Sequence, residues 1–245
     1  MSVFPALAVA VFLAFGAEVV AMSGSKPRAS AASGTNASRH AEWRTADLAG
    51  LNAEVFDLAL GAAECAERSG DVGDVPTLTV IDYSRPSTEK RLWVFDLRTR
   101  KLLYRELVAH GEGSGGNLAT RFSNEHDTHQ SSLGLFLTGD TYVGLNGYSL
   151  RLTGLDKGVN DRALERSIVM HGAPYVTQAF ARTHGRIGRS WGCPALRDAI
   201  ARNVIDRVKG GGLLFAYYPD RDWLESSRYL GGCDDLRGHF SKTVK

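Results

Sequence analysis

A mainly β fold with a few helices (α+β) is predicted by three observations. Between residues 76 and 220 the chain holds many short runs of β-branched and aromatic residues, set apart by loops rich in Gly, Asn and Ser. Only two stretches carry the three- and four-residue apolar recurrence of an amphipathic helix. Strands and helices do not alternate, so an antiparallel sandwich or barrel-like β domain is expected in place of a doubly wound sheet.

The elements follow in order. Phe4 to Phe15 (FPALAVAVFLAF) is a short apolar run, too short for a transmembrane helix, which needs about 20 residues. It reads as the core of a signal peptide spanning residues 1–21, with Val19 and Ala21 as small residues before a cleavage site, although no Lys or Arg precedes it. An apolar helix docked on the domain, or an uncleaved anchor, are the alternatives. Residues 22–43 form a polar linker, low in complexity over Gly24 to Ser38. Within residues 44–72, Thr45 to Arg68 reads as a helix, with Leu48, Leu51, Val55, Leu58, Ala62 and Cys65 on one stripe and Gly70 beyond its end. The main domain is placed at residues 76–220 and a C-terminal tail at 221–245. In the domain, Thr77 to Tyr83, Arg91 to Leu97 and Lys101 to Ala109 read as strands, the last two as a hairpin across Arg98-Thr99-Arg100. Ser132 to Leu137, Tyr148 to Leu152, Ser167 to Met170 and Gly212 to Tyr218 are further strands. A second helix is expected over Pro194 to Lys209, with Pro at its first position and Gly210 after its end.

Composition narrows the function classes. The 245 residues are 43% hydrophobic and 23% charged, an ordinary globular balance. With 29 Lys+Arg against 27 Asp+Glu the net charge is +2, which gives no support to a nucleic-acid partner. Glycine, 27 residues or about 11%, exceeds the usual ~7% and points to tight turns. Three cysteines without a C-x-x-C pair exclude a disulfide miniprotein and a zinc ribbon.

The chemistry gathers between residues 167 and 198. The strand-like SIVM runs into His171-Gly172-Ala173, and Ser190-Trp191-Gly192-Cys193-Pro194 opens the second expected helix. A cysteine at a helix N-terminus feels the positive end of the macrodipole, which favours the nucleophilic thiolate. The N–H groups of Gly192 and Cys193 are candidate oxyanion donors. A histidine ending a buried strand is a rigid general base. A buried cysteine capping a helix, with His171 satisfied in the core, reads the same residues equally well.

The same residues carry a resemblance. RLWVFDL (Arg91–Leu97), LVAHGEGSG (Leu107–Gly115), SSLGLFLTGDTY (Ser131–Tyr142), SLRLTGLDKGVND (Ser149–Asp161), IVMHGA (Ile168–Ala173) and GRIGRSWGCPAL (Gly185–Leu196) resemble the murein L,D-transpeptidase catalytic-domain family (YkuD-like), in the branch with a Ser-Trp-Gly-Cys-Pro motif. That resemblance implies a β-sandwich-like domain with a helix following the cysteine. It also implies an exported, periplasmic or cell-wall-associated enzyme acting on peptidoglycan stem peptides. The thiolate of such an enzyme attacks the carbonyl at the L-centre of diaminopimelate in a tetrapeptide, expels D-Ala and passes the acyl group to an amine or to water. Carried over, Cys193 is the nucleophile, His171 the base, and Ser190 and Gly192 belong to the cysteine loop. Beyond that carry-over, Trp191, Tyr142, Gly172 and Arg189 are assigned to substrate binding, with two alternatives open: Trp191 as packing for the cysteine loop and Tyr142 as a stacked surface ring. No metal or organic cofactor is implied. The chain departs from the broader pattern at Trp191, where a His is usual, and at Ala195, where an Arg is usual; His184 is a candidate replacement imidazole.

Other features have competing readings. His110 either contacts a ligand or supports the rim of the site. His126 and His129 stand at i,i+3, a weak zinc pattern without a third ligand. Cys65 reads as a core residue, or as the partner of Cys233 in a disulfide of an exported chain. Hydrolysis by the same site, as in an L,D-carboxypeptidase, a sortase-like transpeptidase and a non-catalytic wall-binding module are the rival functions. A sortase would need an Arg on a strand after the cysteine, and Gly212 to Tyr218 has none.

Overall fold

The computed structural model describes Met1, Trp43 and residues 45–231. The signal-peptide and linker readings and Cys233 lie outside the described residues. The first expected helix is split in two. Thr45–Leu48 form a 3-10 turn, Ala49 and Gly50 take left-handed backbone (φ 46° and 82°), and α1 (Ala53–Arg68) starts afresh. Asn52 caps it, its side chain accepting from the Glu54 N–H at 2.7 Å. The expected stripe is buried, and so are Phe56, Ala59, Leu60, Ala63 and Ala66, because α1 is covered on more than one side. No helix among the described residues is long and apolar enough to cross a membrane.

Nine strands form one sheet in the order β3-β2-β1-β9-β5-β6-β7-β8-β4. They are β1 (Thr77–Asp82), β2 (Leu92–Asp96), β3 (Lys101–Glu106), β4 (Val108–Ala109), β5 (Gly134–Gly144), β6 (Gly147–Gly154), β7 (Val169–Ala173), β8 (Ala195–Arg197) and β9 (Leu213–Tyr217). The β2–β3 hairpin forms as expected, its turn held by Asp96, whose carboxylate accepts from the Arg98 and Thr99 N–H groups at 3.0 and 2.8 Å. β3 and β4 stand at opposite ends of the order, yet Leu107 alone separates them. Two residue steps reach about 7 Å at most, so the sheet curls until its ends meet. The expected α+β class holds: one large sheet dominates, with a few helices.

Three expectations need correction. Two strand pairs, β1–β9 and β7–β8, are parallel. The second is a strand–helix–strand unit joined through α2 (Gln178–His184), a seven-residue helix too short for periodicity to reveal. The helix after the cysteine, α3, runs Asp198–Val208 and not from Pro194. Residues 195–197 are extended because they pair on both sides, Ala195 with His171 of β7 and with Ala109 of β4. Pro194 also biases Cys193 toward extended backbone. Beyond residue 220, α4 (Arg221–Ser226) and α5 (Arg228–Gly231) pack back onto the domain; Trp223 and Tyr229 are buried, and the Tyr229 hydroxyl donates to Asp71 at 3.0 Å.

Candidate active site

β7 and the loop before β8 bring the two expected residues together. The register places Ala195 beside His171 in parallel strands. Continued by two residues, it puts Cys193 beside Val169, and the Val169 N–H donates to the Cys193 sulfur at 3.4 Å. Strands about 4.8 Å apart and a rise of about 3.3 Å per residue then separate the Cα atoms of Cys193 and His171 by about 8 Å, with both side chains on one face of the sheet. The His171 ring Nδ1 lies 2.7 Å from the Gly172 carbonyl. A carbonyl only accepts, so Nδ1 carries the proton and Nε2 is left as the basic nitrogen.

The resting pair is neutral. Burial raises the Cys193 thiol above its ordinary value, against the Val169 N–H, the Arg166 charge and the residue's own N–H. Burial also lowers His171, against the Gly172 carbonyl and the Asp198 charge. The helix-dipole argument for a preformed thiolate therefore falls, because Cys193 precedes a strand and not a helix.

The cysteine loop is closed on itself. Ser190 Oγ donates to the Cys193 carbonyl at 2.6 Å and accepts from the Gly192 N–H at 3.2 Å. That N–H is thus not a free oxyanion donor, and the Cys193 N–H favours its own sulfur. Gly192 sits at φ 119°, and a Cβ there would lie 2.8 Å from Ile168 Cδ1 and 2.9 Å from the Gln130 carbonyl oxygen. Only glycine fits.

The other assigned residues separate. Tyr142 opposes Ser149 across β5–β6, and Ser149 opposes His171 across β6–β7, so Tyr142 shares a row with the imidazole. Its ring lies under the Arg151 guanidinium at 4.4 Å. Trp191 is 72% exposed and stacks on His129 at 4.9 Å with the rings nearly parallel, while His129 Nδ1 meets Glu112 at 2.9 Å. His126 faces Glu165 at 3.6 Å instead, so the two histidines of the i,i+3 pattern turn to different partners. Two further assigned residues have contacts within the protein. Gly172 is glycine because α3 packs over it, a Cβ meeting Asp198 Oδ1 at 2.7 Å. Arg189 directs Nη1 to the Glu112 and Gly115 carbonyls and holds the neighbouring loop. His184 stacks on Phe180 at the exposed end of α2, its Nδ1 3.1 Å from the Phe180 carbonyl.

Behind the loop lies a buried polar network that sequence spacing could not reveal. Arg91 is fully buried, donates to the Val108 and Arg85 carbonyls and meets His110 Nδ1 at 2.6 Å; burial pushes its pKa down to about 10. The His110 carbonyl accepts from the Ser190 N–H at 3.0 Å, so His110 supports the rim. Ser131 Oγ donates to the Gly192 carbonyl at 2.9 Å and accepts from the Gly111 N–H at 3.0 Å. Tyr175, pushed up to about 12 by burial and then by the Cys193 and Asp198 charges, is neutral beside the site. Farther along the β8 side, a cavity of about 310 Å³ is lined by Lys90, Leu107, Thr177, Gln178 and Arg197. Cys193 is the free cysteine of the described residues, and Cys65 is disulfide-bonded.

Residues 47–217, more than two thirds of the chain, match the L,D-transpeptidase catalytic domain. No curated protein sequence matches. Among solved structures, the chain is similar to an L,D-transpeptidase from Mycobacterium smegmatis (15% identity, 58% of this chain and 59% of that one, TM-score 0.37). It is also similar to an L,D-transpeptidase from Stackebrandtia nassauensis (13% identity, 72% and 75%, TM-score 0.37) and to the helical cell shape determining protein Pgp2 of Campylobacter jejuni (12%, 67% and 57%, TM-score 0.38). The match spans about three fifths of the first of these. The extent of the domain match identifies the chain as a member of the L,D-transpeptidase catalytic-domain family.

Proposed function

We propose that this protein is a peptidoglycan-modifying cysteine acyltransferase, an L,D-transpeptidase acting on stem tetrapeptides through a Cys193 thioacyl intermediate. The observation that carries the reading is the pairing of β7 with β8, which sets Cys193 beside Val169, two residues before a His171 whose Nδ1 is engaged by the Gly172 carbonyl. His171 Nε2 takes the thiol proton as Cys193 attacks the carbonyl at the L-centre of diaminopimelate. The imidazolium then returns that proton to the departing D-Ala amine. In the second half, an acceptor amine attacks the thioester, loses its proton to Nε2, and the thiol is regenerated. A neutral resting pair suits this sequence, since proton and charge move only when substrate excludes water. Export to an oxidising compartment is part of the proposal, supported by the disulfide at Cys65.

The test is incubation of purified protein with a defined tetrapeptide stem and an acceptor stem. Release of one D-Ala per crosslinked product supports the reading, and D-Ala release with only a tripeptide product would reassign it to hydrolysis. No D-Ala release from wild type under conditions where Cys193 is alkylated normally would overturn it.

A further inference from the structure

We infer that Arg166 is a positioning residue for this reaction, locking the turn that touches the Cys193 sulfur to the loop that seats Gly192. The inference rests on Cys193 as the reacting group. Two segments converge on the cysteine loop. The first is the turn leading into β7, where the Cys193 thiol donates to the Ser167 carbonyl at 3.6 Å and accepts from the Val169 N–H at 3.4 Å. Ser167 holds a left-handed backbone, φ 56°, which costs a non-glycine residue about 1–2 kcal/mol and persists only where its surroundings impose it. The second is the loop ending in Gln130-Ser131-Ser132, whose Gln130 carbonyl abuts Gly192 and whose Ser131 hydroxyl binds the Gly192 carbonyl.

Arg166 joins the two. It adjoins Ser167 in the chain, and its guanidinium reaches across to the second segment. Nη1 donates to the Ser123 carbonyl at 2.6 Å and to Ser132 Oγ at 2.5 Å, and Nη2 donates to the Gln130 carbonyl at 2.6 Å. These are short, charge-assisted bonds arranged on a planar fork, a geometry that an ammonium cannot reproduce. The cysteine loop lies between the two tied segments, so the sulfur's orientation depends on the tie.

The charge acts in the same direction. Arg166 is the cation whose field opposes the burial of the Cys193 thiolate. The other titratable groups around the sulfur lack a positive charge at rest: His171 is lowered by burial, and Tyr83 and Tyr175 are raised by it. Glu125 attracts Arg166, and Asp198 acts on His171 and Tyr175.

The experiment measures iodoacetamide alkylation of Cys193 from pH 6 to pH 10 in folded wild type, Arg166→Gln and Arg166→Lys, with folding verified by circular dichroism. Arg166→Gln is expected to move the thiol's apparent pKa up by about one unit, about tenfold less thiolate at neutral pH. Arg166→Lys keeps the charge and is expected to keep the thiol profile while D-Ala release falls at least about tenfold in kcat, because the fork is lost. A purely structural arginine would lower the melting temperature and leave both the profile and kcat of the folded enzyme unchanged. That result, in either variant, overturns the inference. Should Arg166→Gln not fold, Ser132→Ala removes one of the three bonds, and an unchanged kcat in both Ser132→Ala and Arg166→Lys overturns it equally. Loss of D-Ala release in wild type with normal alkylation would count against the proposed function alone.

Discussion

Lowering the pH from 7 to 5 should weaken the fold through one buried imidazole. His110 has no exposed surface, and its Nδ1 accepts from Arg91, so the ring must be neutral. Burial, and then the Arg91 charge, lower its pKa from 6.5 to about 3. In the unfolded chain the same group takes up a proton below pH 6.5, so falling pH favours unfolding; the stability is complete above 6.5 and is lost progressively down to about 3. At 1.36 kcal/mol per unit, protonation of the unfolded imidazole alone removes about 2 kcal/mol between pH 7 and pH 5. For a domain of this size that is about 4–8 °C in melting temperature. Urea denaturation at both pH values measures it, with His110→Asn as the control, since an amide oxygen still accepts from Arg91 but cannot titrate. The wild type should lose about 2 kcal/mol more than the variant. Equal losses in the two proteins would rule out His110 as the source of the pH dependence.

Three other outcomes follow from the geometry. Gly192→Ala should cost about 2–5 kcal/mol, from a positive φ and a Cβ pressed between Ile168 and the Gln130 carbonyl; a chemical-denaturation midpoint equal to that of wild type would contradict this. Trp191→Ala should cost no more than about 1 kcal/mol, because the exposed indole loses only its stack on His129, and its effect should appear in KM for the stem peptide; Trp191→Phe should retain substantial activity, which a variant as inactive as Cys193→Ala would disprove. In denatured but unreduced protein Cys65 should resist alkylation while Cys193 reacts, as peptide mapping would show; free alkylation of Cys65 would exclude its disulfide.

What the sequence discloses follows from how each feature is encoded. β1, β2 and β9 are legible because they are almost wholly buried and their β-branched and aromatic runs say so. β8 and α2 are not, being three and seven residues long, below the length at which periodicity speaks. Cys193-Pro194 reads as a helix start because proline suits a first helical turn. The same proline equally suits an extended approach, and pairing with β4 and β7 decides between them. Cys193 and His171 are legible because local pattern marks them. Arg91, Ser131 and Arg166 act on the site through contacts that only the folded chain creates, and no spacing announces them. Gly172 and Arg189 neighbour the site in sequence, and the fold gives them contacts of another kind, one packing against α3 and the other binding a loop.

Cys193 is proposed to form the acyl-enzyme, with His171 as its base. Intact-mass spectrometry with peptide mapping, after brief exposure to a carbapenem or a tetrapeptide stem, tests it most directly. One adduct is expected on the peptide containing Cys193, none in Cys193→Ala, and formation about 10²–10⁴-fold slower in His171→Ala. An adduct that persists at the same rate in Cys193→Ala, or maps to another residue, would contradict it.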